Sequence, residues 1–305
     1  MGEHPTPSDH ARELVRGAVD YHVHVAPDFA ARRITDVELA KRSKELGLGG
    51  FGLKSHYTAT HERAAVVREA VPGVTVLGTV ALNRAIGGLN ALAVEVAARQ
   101  GGRIVWFPTV SSENEADEVE NIDPDGKVPV WVRFELELRA SGADCSAVAV
   151  VDASGELVPE ALAVLKVIAA HDLVLMTGHL SRDEIFTLVD GAVAAGVKNI
   201  VITHPEFPSQ QIHPQDQVEL AKSGALMERA FTTPYTGKCD WQTIFDATRT
   251  VGVANTVWAT DLGQVFNPPV EDGLAIMADM HLEAGFADDE IRTMAVDNTR
   301  RVAGV

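Results

Sequence analysis

The sequence predicts an α/β fold, a (β/α)8 TIM barrel with an inserted loop and β-hairpin after strand four. Short β-branched runs alternate with longer amphipathic stretches, which implies parallel strands joined by helices. Eight such units fit within 305 residues, and barrels of this size form one domain, so we expect a single domain over 1–305. An open doubly wound sheet is the alternative, but no Gly-x-Gly-x-x-Gly follows the first strand, which favours the barrel.

The elements follow one another regularly along the chain. The first strand is GAVDYHVHV, and the helix ITDVELAKRSKELGLGG after it has a capping box of Thr35 and Glu38 and a closing Gly47. Strands two to four are GFGLKSH, VTVLGTVALN and RIVWFPTV, separated by the helices HERAAVVREAVPG and LNALAVEVAARQGG. Strands five to eight are DLVLMTGHLS, KNIVITHPEF, GALMERAFT and VANTVWATDLG, with the helix RDEIFTLVDGAVAAG after the fifth. Helices at about 270–284 and 288–302 end the chain.

One stretch interrupts this alternation, at about 110–158 between strands four and five. It begins as an acidic, turn-rich segment and continues as SAVAVVDASGELVPE, a pattern typical of a hairpin with an Asp-Ala-Ser-Gly turn. We therefore predict an inserted loop followed by a β-hairpin. Long loops in compact domains tend to be either functional lids or disordered segments.

Composition excludes several classes of partner. The net charge of −17 argues against nucleic acid and anionic membranes, which bind clustered lysine and arginine. No apolar run approaches the ~20 residues that span a bilayer, and the N-terminus has no signal-peptide core. With only two cysteines, a disulfide scaffold is not expected. We expect a cytoplasmic protein that acts on a small molecule and can form a homo-oligomer.

Polar side chains recur where the predicted strands end, which is where barrels of this type build their active sites. The set is His24, Lys54 with His56, Asn83 with Arg84, Thr109, His179, His204, Glu228 and Asp261. Apart from the long fourth gap, successive members lie 24 to 33 residues apart, the length of one βα unit. This periodicity predicts a common site at one end of the barrel.

His22 and His24 are two residues apart, so on a strand both imidazoles face the same side. Imidazole and carboxylate are ligands for divalent zinc, iron or manganese, and His22, His24, His179 and Asp261 would leave one position open for water. Such an ion lowers the pKa of bound water toward ~7. Asp261 is then the predicted general base, and His204 a further ligand or a group that polarises a substrate carbonyl.

Each residue also has an ordinary structural interpretation. A pair such as His22 and His24 can simply be solvated at a strand end, and Lys54 can extend along apolar surface to solvent. Glu228 can pair with Arg229 or Lys54. Asn83 and Arg84 fit substrate contacts or a strand–helix turn equally well. His56 and His61 are expected on the surface.

In order, His22-x-His24, His179 in TGHLS, His204 in THPEF and Asp261 in ATDLG resemble the motifs of the amidohydrolase superfamily of metal-dependent barrels. Over nearly the whole chain, the sequence is most similar to amidohydrolase-like proteins of unknown function with a GHLS…THP core. The resemblance implies one or two divalent ions, zinc first, with Fe²⁺ or Mn²⁺ as alternatives. Binuclear members commonly carry a carboxylated lysine after strand four, where this sequence has Thr109. Lys54 follows strand two instead, as a carboxylated ligand or as a cation for an anionic substrate group.

The expected function is a metal-dependent hydrolase that activates water to attack an amide, lactone or related ester bond of a small molecule. Asp261 would pass the proton to the leaving group, and His204 would bind the metal or stabilise the oxyanion. One alternative is non-oxidative decarboxylation or hydration of a small carboxylic acid, with Lys54 and Arg84 holding its carboxylate. The other is a non-catalytic binding protein on a barrel that has lost its ligands.

Overall fold

The computed structural model describes residues 4–120 and 130–305. Eight parallel strands form one sheet in the order of the sequence. The strands are β1 (Val19–Val23), β2 (Gly50–Leu53), β3 (Thr75–Ala81), β4 (Gly102–Trp106), β5 (Val174–Met176), β6 (Asn199–Ile202), β7 (Leu226–Ala230) and β8 (Thr256–Ala259). Beyond β8 the sheet approaches β1 again, where Asp261 N donates to His22 O at 2.8 Å and His24 N to Leu262 O at 2.7 Å. The predicted barrel is therefore confirmed as a near-closed barrel.

Helices follow β1, β2, β3, β5 and β8, where the sequence predicts them, and further helices lie before β1, between β4 and β5, and after β6 and β7. They are α1 (Asp9–Leu14), α2 (Asp36–Leu46), α3 (His61–Ala70), α4 (Ala91–Arg99), α5 (Glu113–Glu120), α6 (Val130–Ala140), α7 (Pro159–Ala170), α8 (Arg182–Ala194), α9 (Pro214–Lys222), α10 (Thr232–Tyr235), α11 (Trp241–Val251), α12 (Gly273–Glu283), α13 (Asp288–Arg292) and α14 (Asn298–Ala303). Three 3-10 turns and one π segment lie at Arg84–Ile86, Val253–Asn255, Val270–Asp272 and Thr293–Asp297. The capping box of Thr35 and Glu38 forms at the start of α2, and Gly47 ends it in a left-handed conformation. Among the described residues, no helix has the length and apolar character to span a membrane.

A bulge in β1 sets the direction of the first histidine. Residues Asp20–Val23 lie opposite Phe51–Leu53 of β2, so β1 has one extra residue and its alternation changes phase. Tyr21 belongs to the core inside the barrel, and the His22 ring also faces inward, 5.4 Å from that of Trp106. The bulge thus brings two consecutive side chains to the barrel axis.

The insertion after β4 differs from the prediction. Its acidic first part was expected to be a loop but forms α5, and α6 follows it, while residues 121–129 lie outside the described part of the chain. The expected hairpin reduces to one antiparallel bridge between Val151 and Leu157 around the turn at 152–155. The physical reason is tertiary packing: Phe134 of α6 stacks on Phe29 with ring centroids 4.3 Å apart, which favours a helix over the loop. The insertion therefore lies against the loop that follows β1.

Candidate metal centre

The carboxyl ends of the strands converge on a buried polar cluster. His22 lies in β1 and His24 directly follows it, Lys54 follows β2, and Trp106 at the end of β4 lies beneath them. His179 and His204 come from the opposite side of the barrel, in the loops after β5 and β6, and Asp261 follows β8 beside β1. The rings of His179 and His204 lie 4.9 Å apart, and those of His22 and His204 lie 6.1 Å apart. The structure thus brings together all six predicted ligands.

Two histidines and one carboxylate lie close enough to share an ion. Asp261 Oδ1 is 3.2 Å from His22 Nε2 and 3.0 Å from His24 Nε2. One ligand atom from each of these residues lies within 4.8 Å of the other two. Thr232 Oγ1 donates to Asp261 Oδ2 at 3.0 Å and so fixes the orientation of the carboxylate.

A second carboxylate contacts His22 at Nδ1, the ring nitrogen that does not face Asp261. Glu228, expected to contact substrate or to pair with Arg229 or Lys54, lies 3.0 Å from His22 Nδ1 through its Oε1. Arg229 faces the outside of the barrel, where it binds Glu206 and Gln217. A histidine that donates Nδ1–H to a carboxylate presents Nε2 to a metal, which is the usual arrangement behind metal-binding histidines.

Two more histidines have a hydrogen bond at Nδ1, and a third has a carboxylate close to it. His56 Nδ1 lies 2.8 Å from Thr109 Oγ1, and His204 Nδ1 lies 2.7 Å from Gln210 Oε1. His179 Nδ1 lies 3.0 Å from Glu115 Oε1. With Nδ1 engaged in a hydrogen bond, the rings of His56 and His204 have Nε2 left for the centre of the cluster.

His56 was expected on the surface, and the structure corrects this. Its ring stacks on His24 with centroids 5.0 Å apart, and Thr109 is its hydrogen-bond partner. A signal was present in the sequence, because Lys54-x-His56 repeats after β2 the spacing of His22-x-His24 after β1. Glu115 gave no such signal, since its position depends on the helix that the insertion forms.

Asn83 and Arg84, predicted as substrate contacts, are bonded within the chain. Asn83 Nδ2 donates to Thr109 Oγ1 at 2.7 Å, and Thr109 N donates to Asn83 Oδ1 at 2.8 Å. Arg84 donates to the carbonyl oxygens of Ser146 and Ala147 in the insertion, at 3.0 and 2.7 Å. The two residues therefore stabilise the loops at the carboxyl ends of the strands and the part of the insertion that contacts these loops.

Backbone strain accompanies two of the predicted ligands. His204 has a φ of 24° and Asp261 a φ of 53°, values in the left-handed region that few residues other than glycine adopt. Such conformations cost roughly 1–3 kcal/mol each and are concentrated at functional sites. Gly263, two residues after Asp261, allows a close approach, because a Cβ there would overlap the carbonyl oxygen of His24.

The charges in the cluster favour a cation. Burial opposes ionisation of Asp261, but His22 and His24 hold its pKa well below the ordinary range, so the carboxylate is ionised. Burial lowers the pKa of His24 to about 3, so its ring is neutral at physiological pH. Burial also lowers the pKa of Lys54, whose Nζ lies 2.8 Å from His22 Nε2.

This donor set fits a divalent ion. Burial and Lys54 oppose protonation of His22, but Glu228 and Asp261 on either side of the ring raise its pKa. A divalent ion bound beside Asp261 would replace the proton on Nε2. Neutral imidazoles and an ionised carboxylate are the ligands expected for zinc and related ions.

Comparison with known proteins identifies a sequence family that matches the chain and solved structures with a similar fold. The sequence model of DUF6282, a family of unknown function, matches residues 17–228. No curated protein matches the chain. Among solved structures, an amidohydrolase from Pseudomonas aeruginosa is 13% identical with a TM-score of 0.63, covering 97% of this chain and 99% of that one. The probable dipeptidase PvdM from Pseudomonas aeruginosa is 11% identical with a TM-score of 0.62, covering 97% of each chain.

A third similar structure is an amidohydrolase from Burkholderia multivorans with bound zinc. It is 12% identical with a TM-score of 0.52, and the match covers 94% of this chain and 99% of that one. At these identities the likeness is one of fold. The chain has the fold of amidohydrolase superfamily members over nearly its full length.

Proposed function

The chain belongs to the DUF6282 family, and we propose that it is a metal-dependent hydrolase that cleaves an amide, lactone or related ester bond of a small molecule. One observation carries the proposal. Nε2 of His22 and Nε2 of His24 converge on the same oxygen of Asp261, in a buried centre at the carboxyl ends of a barrel. Two imidazole nitrogens that share one buried carboxylate oxygen are a ligand set that a divalent ion would bind.

We assign the ion to His22, His24 and Asp261, with His179 and His204 completing the ligands on the opposite side. Zinc is the first choice, with Fe²⁺ or Mn²⁺ as alternatives, and the zinc-bound amidohydrolase of the same fold supports this choice. Such an ion would lower the pKa of a bound water to ~7 and polarise a carbonyl oxygen.

The side chains of the centre supply the remaining chemistry. Asp261 is ionised, and Thr232 orients it, so it can accept a proton from water and return it to the leaving group. His204 lies beside His179 and donates Nδ1–H to Gln210 Oε1, so its unprotonated Nε2 can bind the ion. Lys54 adds a positive charge that would attract an anionic substrate group.

The test is a turnover screen of the zinc-loaded protein against N-acyl amino acids, lactones and simple esters in H₂¹⁸O. We expect a product that contains ¹⁸O, and we expect Asp261→Asn to abolish turnover. Release of CO₂ without ¹⁸O incorporation would establish the decarboxylase alternative instead. Full zinc occupancy without turnover of any substrate in the screen would favour the non-catalytic alternative.

A further inference from the structure

The first helical turn of the insertion lies beside the candidate metal centre. Helix α5 starts seven residues after β4 ends, and its first turn lies against the loops that follow β5 and β6. Glu115 in this turn is only 2% exposed, whereas its neighbour Glu113 on the same helix is exposed. A buried glutamate needs a partner that compensates for its burial.

His179 is that partner. Glu115 Oε1 lies 3.0 Å from His179 Nδ1, and Ser209 Oγ donates to the same oxygen at 2.7 Å. One oxygen of the Glu115 carboxylate therefore contacts both the ring nitrogen of His179 and the hydroxyl of Ser209.

The rest of the turn fixes the same loop through its backbone. Ser112 Oγ and Asn114 Nδ2 both donate to the carbonyl oxygen of His179, each at 3.1 Å. Asn114 Nδ2 also donates to the carbonyl oxygen of Ser209 at 2.6 Å. Ser112 Oγ accepts from Glu115 N at 3.1 Å, which caps the helix. Both the main chain and the side chain of His179 are thus held by one turn of the insertion.

We propose that Glu115 is a positioning residue, which holds His179 in the tautomer with Nδ1 protonated and directs its Nε2 to the metal. The insertion then helps to form the metal centre. The inference rests on the proposed metal site and adds a residue to it from an element outside the regular barrel. Removing such a carboxylate behind a metal-binding histidine typically costs 10–100-fold in metal affinity.

The experiment measures zinc affinity of the full chain by competition with a chromophoric chelator. We expect Glu115→Gln to weaken zinc binding about 10–100-fold. Glu113→Gln, the matched control on the exposed face of α5, should bind zinc like the wild type. His179→Ala should weaken binding at least as much as Glu115→Gln, and the double variant should bind no more weakly than His179→Ala alone.

Each result has a defined meaning. Wild-type affinity in Glu115→Gln would overturn the inference, and so would a further loss when Glu115→Gln is added to His179→Ala, since Glu115 would then act independently of His179. A wild-type protein that binds no zinc would instead overturn the proposed function. Nitrogen-15 NMR of His179 in the wild type tests the tautomer without any variant: a protonated Nδ1 supports the inference, and a protonated Nε2 contradicts it.

Discussion

Nδ1 of His22 lies 3.0 Å from Oε1 of Glu228, and both side chains are fully buried. The same glutamate oxygen lies 3.3 Å from the backbone N–H of His204, so one carboxylate connects the loops of two predicted ligands. The contact determines which nitrogen of His22 faces the centre. It also explains why strand β7 contributes an inward glutamate beside the outward Arg229.

The first prediction concerns this pair. Glu228→Gln keeps the size of the side chain but removes the charge, so the preference for a protonated Nδ1 on His22 weakens. We expect zinc affinity to fall about 10–100-fold. Glu219→Gln, an exposed substitution on α9, should leave the affinity unchanged. Equal affinities for Glu228→Gln and the wild type would show that the contact is only structural.

Lys54 gives a second prediction. Its Nζ contacts His22 Nε2 at 2.8 Å, the atom that we assign to the ion, so an ammonium there competes with the metal. We expect Lys54→Met to raise zinc affinity, whereas Lys222→Met on the surface should have no effect. Weaker binding in Lys54→Met, together with bicarbonate-dependent zinc binding in the wild type, would contradict this and indicate a carboxylated lysine.

Two glycines with similar backbone angles allow the cost of steric overlap to be measured separately from the cost of backbone strain. Gly178 has a φ of 69° and Gly196 a φ of 83°, but a Cβ at Gly178 would overlap the carbonyl oxygens of Phe107 and Pro108, while Gly196 has open space. We expect Gly196→Ala to cost about 1–2 kcal/mol of unfolding free energy. Gly178→Ala should cost about 1–3 kcal/mol more, measured by urea unfolding. Equal costs would contradict the close packing of this loop against the end of β4.

A buried glutamate in the insertion, Glu135, leads us to expect that the stability of the protein depends on pH. Burial raises the pKa of Glu135 on α6 to about 7, so the folded chain binds this proton more tightly than the unfolded chain does. Its contribution to stability is full near pH 4.5 and is lost as the pH rises to about 7. Glu135→Gln should therefore raise the melting temperature above pH 7 but change it little near pH 4.5. The exposed Glu137→Gln is the control, and an effect of Glu135→Gln that is independent of pH would contradict the assignment.

The barrel could be predicted because its signals are local. Alternating strands and helices, the capping box of Thr35 and Glu38, and polar residues at strand ends each depend on short stretches of sequence. The helices of the insertion could not be predicted in this way. In the stretch after residue 130, apolar and polar residues alternate as in a strand, yet Phe134 packs as part of a helix on Phe29 and Tyr57. Such tertiary contacts override local pattern.

The candidate metal centre, like the fold, could be predicted only in part. Residues at the strand ends come together because parallel strands present their carboxyl ends at one face, so His22, His179, His204 and Asp261 meet. The partners behind them depend on details that the pattern does not encode. The bulge in β1 gives His22 its direction, and Glu115 reaches His179 only because α5 forms.

The most direct test of the account is the metal content of the purified protein. After growth with added zinc, iron and manganese, elemental analysis should find about one or more equivalents of a divalent ion per chain. His24→Ala and Asp261→Ala should lose that ion, whereas His10→Ala, a substitution of a surface histidine, should retain it. Less than about half an equivalent in the wild type, or full retention in Asp261→Ala, would contradict the metal centre on which the proposed function rests.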